Sequence, residues 1–377
     1  MWKDLNIKAG WVIGRLLPVK QNRVVFSSFY GRGYGDNPKA IAQALLDQAD
    51  HLELIWLTKG PREAASLPQN IRACPYNSIK RGIALGTAKV WVDNCRKGAP
   101  FKKPGQRYMQ TWHGFALKRI EGDAQNSLPE EYRSYALRDS RQIDLMISDS
   151  RHMTNVYRSA FWYEGEIAEL GAPRNDLLCG EERRVAEEKA RQTLGVSPEE
   201  HLVLYAPTFR ADHSLDACCL DFTRLKEACE ARFGGSFRVL VRLHPNIAAQ
   251  AEAFLRDRPE VLNVTGYPDG QELMAAADLL ITDYSSMMFD FLLTGRPCFL
   301  FATDIDAYRQ DRNFYFSLDA LPFPLAGDND ALDRAIRDFD EDNYRKSAES
   351  FNSAQGIITD GNAGVQCAKQ ILRWTES

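Results

Sequence analysis

Ala277-Asp-Leu-Leu-Ile-Thr-Asp-Tyr-Ser-Ser-Met-Met-Phe-Asp-Phe-Leu-Leu-Thr-Gly-Arg-Pro-Cys-Phe299 is the stretch on which the reading of this chain turns. Its order is strand, polar turn, helix, turn, strand. Leu279, Leu280 and Ile281 form a short apolar run suited to a strand buried on both faces, and Thr282-Asp283-Tyr284-Ser285-Ser286 interrupts it with hydroxyls and a carboxylate. Ser285 or Ser286 fits the N-cap of the helix that follows. Free amides and two hydroxyls would then converge beyond the carboxyl end of a parallel strand, a place where phosphate binds. An ordinary capped helix needs the same residues, so the rest of the chain has to decide.

Working outward, the same design recurs. Ile143-Asp-Leu-Met-Ile-Ser-Asp-Ser150 is a second buried strand ending in hydroxyls, with Arg151 to Phe161 as its helix. Strand candidates stand at Arg23 to Phe29, Leu52 to Leu57, Val90 to Asn94, His201 to Arg210, Arg238 to His244, Val261 to Thr265 and Pro297 to Ala302, mostly separated by helical patterns. That alternation predicts parallel sheets covered by helices, an α/β fold. The glycine-rich turn Gly31 to Pro38 lacks the spacing of a dinucleotide fingerprint.

The 377 residues suit two domains of roughly 150 to 200 residues each. With 44% hydrophobic and 26% charged residues, the composition is that of a folded protein. The net charge of −4 gives no sign of nucleic-acid binding, although Arg96, Lys97, Lys102, Lys103 and Arg107 crowd one stretch that reads as a solvated loop. Eight cysteines without a C-x-x-C pair or metal spacing read as reduced thiols, and no signal peptide is apparent, so a cytoplasmic location is expected. Residues 1–22 mix Trp2, Leu5, Ile7, Trp11, Val12, Ile13, Leu16 and Leu17 with Lys3, Lys8, Arg15 and Lys20, a composition equally suited to a membrane interface and to a packed first helix. The domains are expected at 23–180 and 195–377, with a final helix able to pack back across the junction.

Several candidate site residues lie at predicted strand ends, where open α/β sheets hold their ligands. His113 follows the strand-like run before Trp112, and a histidine there serves either as a proton acceptor or as a buried structural group. Thr208 and Arg210 follow Tyr205-Ala-Pro, and Arg242 and His244 end another strand before Pro245. A cation and a histidine suit an anionic substrate; a salt-bridged arginine and a structural histidine are the plainer account.

Taken together, Gln110-Thr-Trp-His-Gly114 with Lys118, Gly171-Ala-Pro-Arg-Asn-Asp176, Tyr205-Ala-Pro-Thr-Phe-Arg210, Arg242-Leu-His-Pro245 and Thr282-Asp-Tyr-Ser-Ser-Met-Met-Phe-Asp290 resemble, in this order, the CDP-glycerol glycerophosphotransferase family. The resemblance implies a GT-B architecture of two Rossmann-like domains facing across a cleft. It implies transfer of glycerol phosphate from CDP-glycerol, or a related CDP-polyol, to a hydroxyl of a lipid-linked acceptor, with CMP released, in the synthesis of teichoic acid or capsular polymers. His113 becomes the general base and His244 a catalytic partner in the donor site, where Arg242 offsets negative charge. Ser285 and Ser286 hold the pyrophosphate, Thr208, Arg210 and Lys118 border the site, and Asp283 and Asp290 either contact donor hydroxyls or scaffold the loop. No resident metal is expected, though a diphosphate can bring magnesium with it. In length the chain resembles the short, priming type, working on the inner face of the cell membrane. The alternatives are a sugar-nucleotide transferase or epimerase of the same architecture, or an inactive nucleotide-binding subunit of a polysaccharide assembly complex.

Overall fold

The computed structural model describes residues 2–97, 101–124, 128–208, 210, 218–243, 248–256, 258, 260–305 and 314–376. The chain divides into two compact units, the first made of Met1–His113, Ile120–Asp176 and Ile357–Ser377, the second of Gly114–Arg119 and Leu177–Gly356. In the first, strands Lys20–Ser27 (β1), Glu53–Thr58 (β2), Ile71–Pro75 (β3), Ala88–Asp93 (β4), Arg107–Gln110 (β5), Leu145–Ser148 (β6) and Glu166–Glu169 (β7) form a parallel sheet in the order β3-β2-β1-β4-β5-β6-β7. The second unit repeats the arrangement. Glu200–Ala206 (β8), Ser236–Val241 (β9), Val261–Asn263 (β10), Leu279–Thr282 (β11), Cys298–Phe301 (β12) and Leu325–Ala326 (β13) pair in the order β10-β9-β8-β11-β12-β13. Each is therefore a doubly wound α/β unit whose strand order reverses once, between β1 and β4 and between β8 and β11.

The strands follow from their residues. β4, β6 and β11 are buried along their whole length, as apolar runs covered by helices on both faces must be. In the first unit Val24, Phe26, Trp56, Val90, Val92, Met109, Leu145 and Ile147 share one core, with Phe26 stacked on Trp56 at 5.6 Å between ring centroids. Strands β3 and β7 escape the sequence reading because both lie at the sheet's edges: Ile71-Arg-Ala-Cys-Pro75 buries only two of its residues, and Glu166-Ile-Ala-Glu169 none.

Two segments depart from the division expected at 23–180 and 195–377. Gly114–Arg119 enters the second unit, where the Phe115 ring lies 4.3 Å from that of Phe289 and the Tyr315 N–H donates to the Leu117 carbonyl at 2.8 Å. At the other end Gly356, with φ 62, closes the helix Glu341–Gln355 and turns the chain back into the first unit. There the Asp176 carboxylate accepts the Ala363 and Gly364 amides at 3.0 and 2.7 Å, satisfying the exposed donors at the start of the last helix, Ala363–Glu376. Cys367, Ala368 and Ile371 of that helix complete the first unit's core.

The first helix, Trp2–Leu16, lies on the helix Ile79–Thr87 through glycines. A Cβ at Gly10 would stand 2.1 Å from the Ile79 carbonyl oxygen, and one at Gly86 would stand 2.5 Å from the Gly14 carbonyl carbon. Lys103 closes the helix end by donating to the Gly14 and Leu17 carbonyls at 3.0 and 2.6 Å. The basic stretch is accordingly no solvated loop. Arg96 bonds Glu121 at 3.0 Å, Lys97 bonds Asp93 at 2.7 Å with both pairs buried, and Lys102 and Arg107 engage Asp144. Except for Asp93, four positions before Lys97, the carboxylates that take up these charges are distant in sequence, which local composition cannot reveal.

The glycine contact yields a test. Gly86→Leu should force the two helices apart and destabilise the fold by about 1–3 kcal/mol. Limited trypsin digestion should then cut faster after Lys8 and Arg15, whereas unchanged cutting would show that this contact does not hold the first helix.

Candidate active site

In the first unit the residues that matter gather at the carboxyl ends of β1, β4 and β5, beside the reversal in strand order. β4 delivers Asn94 and Cys95, and β5 delivers Trp112 and His113. The His113 Nδ1 lies 2.6 Å from the Asn94 carbonyl oxygen. A carbonyl only accepts, so the proton sits on Nδ1 and Nε2 carries the lone pair. The half-buried ring stacks on Trp112 at 4.1 Å and leans on Phe29 at 5.4 Å. Burial lowers the His113 pKa below the usual histidine value, opposed by the Asn94 carbonyl and Asp36. Cys95 Sγ is 3.8 Å from Nδ1, and burial pushes its thiol pKa upward, which disfavours the thiolate.

Side chains with no assigned role in the sequence reading hold this arrangement. The Asn94 amide donates to Asp36 at 2.9 Å and accepts the Phe29 N–H at 2.9 Å. Asp36 in turn faces Arg174 at 3.5 Å. Asn37 donates to the Trp112 carbonyl at 3.0 Å and accepts the Arg174 N–H at 3.0 Å. The signal of Asp36, Asn37 and Asn94 in the sequence is position: Asp36 and Asn37 lie in the glycine-rich turn after β1, and Asn94 is the first residue beyond β4.

The second unit builds its own cluster at the β8/β11 reversal. Asp283, 2% exposed, accepts the Thr208 and Tyr284 amides at 2.9 and 2.6 Å and pairs with Arg210 at 3.0 Å. Arg210 also forks onto Asp304 at 2.6 and 2.9 Å, and Tyr284 donates to Asp304 at 3.0 Å. Burial raises the Asp283 pKa against the pull of Arg210. It would raise Asp304 too, yet the Arg210 bonds hold that carboxyl below its ordinary value. The structure thus brings Thr208, Arg210 and Asp283 together as a loop scaffold and adds Asp304 and Tyr284 from the neighbouring chain ends. Ser285 Oγ accepts the Met287 N–H at 3.3 Å, opening the short helix Met287–Leu292, while the Ser286 side chain makes no cap bond.

The remaining candidates stand apart from this cluster. Asp290 accepts from Gln271 at 3.3 Å. Arg242, its pKa lowered by burial, donates to the Tyr267 and Val264 carbonyls at 2.8 and 3.4 Å and so braces the loop after β10. Lys118 pairs through its backbone with Phe314. His244 lies outside the described residues. Among the described residues no three His, Cys, Asp or Glu side chains gather as a metal-ligand set.

Comparison with known proteins draws these features together. The family model for CDP-Glycerol:Poly(glycerophosphate) glycerophosphotransferase matches residues 12–373. The chain is 30% identical to a teichoic acid glycerol-phosphate transferase of Staphylococcus aureus, over 95% of this chain and 94% of that one. It is 31% identical to a teichoic acid poly(glycerol phosphate) polymerase of Staphylococcus epidermidis over 92% of this chain, which spans 50% of that longer protein. A solved structure of the wall teichoic acid polymerase TagF superposes with a TM-score of 0.88 at 29% identity, covering 99% of this chain and 94% of that one, in keeping with two Rossmann-like units of the GT-B class. With five motifs in order, two doubly wound sheets and a family match over nearly its whole length, the chain belongs to the CDP-glycerol:poly(glycerophosphate) glycerophosphotransferase family.

Proposed function

We propose that the protein transfers glycerol phosphate from CDP-glycerol to a hydroxyl of a lipid-linked acceptor, releasing CMP, in the synthesis of a teichoic-acid-like envelope polymer. The observation that carries this reading is His113: with Nδ1 committed to the Asn94 carbonyl, Nε2 is left as a proton acceptor at a sheet's carboxyl edge. The acceptor's hydroxyl proton passes to Nε2, its oxygen bonds the phosphorus on the glycerol side of the donor, and the bond from that phosphorus to CMP breaks. A base whose pKa is lowered by burial is already neutral at physiological pH.

The second unit serves the donor in this reading. The Ser285 and Ser286 hydroxyls suit a pyrophosphate, while the Met287, Met288 and Phe289 amides are taken by Ser285 and Ser286 oxygens, and Asp283, Arg210, Asp304 and Tyr284 hold the loop in shape. Thr208 and Lys118 border the donor. Arg242 supports it through the loop it braces, and Asp290 through Gln271. His244 enters through the family resemblance alone, as a catalytic group that offsets charge on the departing CMP. We assign no resident metal; magnesium would arrive on the donor's diphosphate.

A lipid-linked acceptor places the reaction at the inner face of the cell membrane. No helix among the described residues is long and apolar enough to cross a membrane. The first helix and the residues after it leave Val12, Ile13, Leu16 and Leu17 exposed, Leu16 by 83%, beside Arg15 and Lys20. Such a face suits the boundary between headgroups and acyl chains.

Four experiments test this reading. Offered CDP-glycerol, CDP-ribitol and UDP-sugars, the protein should release CMP from CDP-glycerol; UDP release from a sugar without CMP release would overturn the assignment. His113→Ala should lower transfer by about 10²–10⁴-fold, and in the unaltered protein kcat/KM should fall only below the usual histidine pKa of about 6.5, because the lowered pKa keeps the base neutral down to that point. An acidic limb above pH 7 would contradict the base. Arg210→Ala strands the buried Asp283 charge and should destabilise the second unit by about 3 kcal/mol in urea unfolding; a change near zero would detach the cluster from the fold. Finally, Leu16→Glu with Leu17→Glu should abolish sedimentation with anionic lipid vesicles, and undiminished sedimentation would reject the membrane surface.

A further inference from the structure

We propose that Asn37 is a positioning residue for His113, acting by clamping the strained peptide that carries the imidazole. The inference rests on His113 being the base. Trp112, the residue before it, has φ 51, in the left-handed region that a bulky side chain adopts only where its neighbours enforce it. Two buried amide side chains do so. Gln110 Oε1 accepts the Trp112 N–H at 2.9 Å, and Asn37 Nδ2 donates to the Trp112 carbonyl at 3.0 Å and to the Thr111 carbonyl at 3.4 Å.

The two clamps differ in what stands behind them. Gln110 is the last residue of β5, and its Nε2 is committed to the Cys95 carbonyl and the Tyr108 hydroxyl at 2.9 and 2.8 Å, so it belongs to the sheet's framework. Asn37 opens a helix, Asp36–Leu46, and is 1% exposed. Its Oδ1 accepts the Arg174 N–H at 3.0 Å, and its own N–H donates to Asp36 at 2.8 Å. One side chain therefore ties the turn carrying His113 to the start of that helix and to the turn Pro173–Leu178.

The geometry links this clamp to the direction of Nε2. The Trp112 ring stacks on the His113 ring at 4.1 Å and meets Phe161 edge-on at 4.7 Å, so rotation of the Trp112 peptide shifts both the stacking partner and the chain bearing the imidazole. The bond from the imidazole Nδ1 to the Asn94 carbonyl is an axis about which a loosened ring can swing. A base has to lie within about 2.6–3.2 Å of the oxygen whose proton it takes, and a displacement of about 1 Å costs about 100-fold in rate.

Asn37→Ala and Asn37→Asp, each made in the unaltered protein and in His113→Ala, decide the matter, with turnover of CDP-glycerol measured on each variant's pH plateau. Asn37→Ala should lower kcat by about 10–100-fold while KM for CDP-glycerol holds, and should lower the residual turnover of His113→Ala no further. Asn37→Asp keeps the acceptor for the Arg174 amide and loses the donor to Trp112; it should show the same kcat loss while folded at the assay temperature, its melting temperature lowered by a carboxylate set against the Trp112 and Thr111 carbonyls, and it settles the question if the alanine variant does not fold. Equal losses in both backgrounds, or wild-type kcat in Asn37→Asp, would overturn the role of Asn37 and leave the base assignment standing. Full turnover by His113→Ala alone would remove the base, and this inference with it.

Discussion

Parallel strands impose one constraint from which the rest of this molecule follows: every strand ends on the same edge of its sheet. A strand covered by helices on both faces carries few charges along its length, so most polar side chains collect where the chain leaves the sheet. β4 stops at Asp93 and hands over Asn94, β5 stops at Gln110 and hands over His113, and β11 stops at Thr282 and hands over Asp283. Where the strand order reverses, the loops from neighbouring strands run in opposite directions and leave room for a ligand. Both units place their polar clusters there.

Gathering charge at an edge creates a second requirement, because much of it is withdrawn from water. Each unit meets this by pairing. Arg96 lies between Glu121 and Asp139, and Arg210 lies between Asp283 and Asp304. A buried pair contributes little net stability, but its geometry is narrow, since removing one partner leaves a costly uncompensated charge. Several residues whose chemistry suggests contact with a substrate are thereby committed to holding loops. His113 is the contrast: one nitrogen is engaged and the other is not needed by the fold.

What could be read in the sequence was local and periodic. Leu279 to Ile281 announced a buried strand, Arg151 to Phe161 a helix and His113 a strand-end histidine, because each depends on neighbours within a few positions. The illegible features depend on partners far along the chain. Lys103 looked like part of a solvated basic run, yet it closes a helix roughly ninety positions earlier through the Gly14 and Leu17 carbonyls. Asn37 sat in a glycine-rich turn with no visible task until Trp112 and Arg174 came beside it. Edge strands such as Glu166–Glu169 carry too little apolar surface to signal at all.

The placement of the last helix bears on how the protein is made. Cys367, Ala368 and Ile371 sit in the same core as Val24 and Phe26, and Asp176 waits for the amides of Ala363 and Gly364. A ribosome delivers the amino end first, and domains generally fold as they emerge. Here the second unit, contiguous from Leu177 to Gly356 apart from one short segment, is fully synthesised before the first unit receives its closing piece. The amino-terminal half therefore leaves the ribosome with an open apolar seam, which stays unsealed until the helix Ala363–Glu376 has emerged.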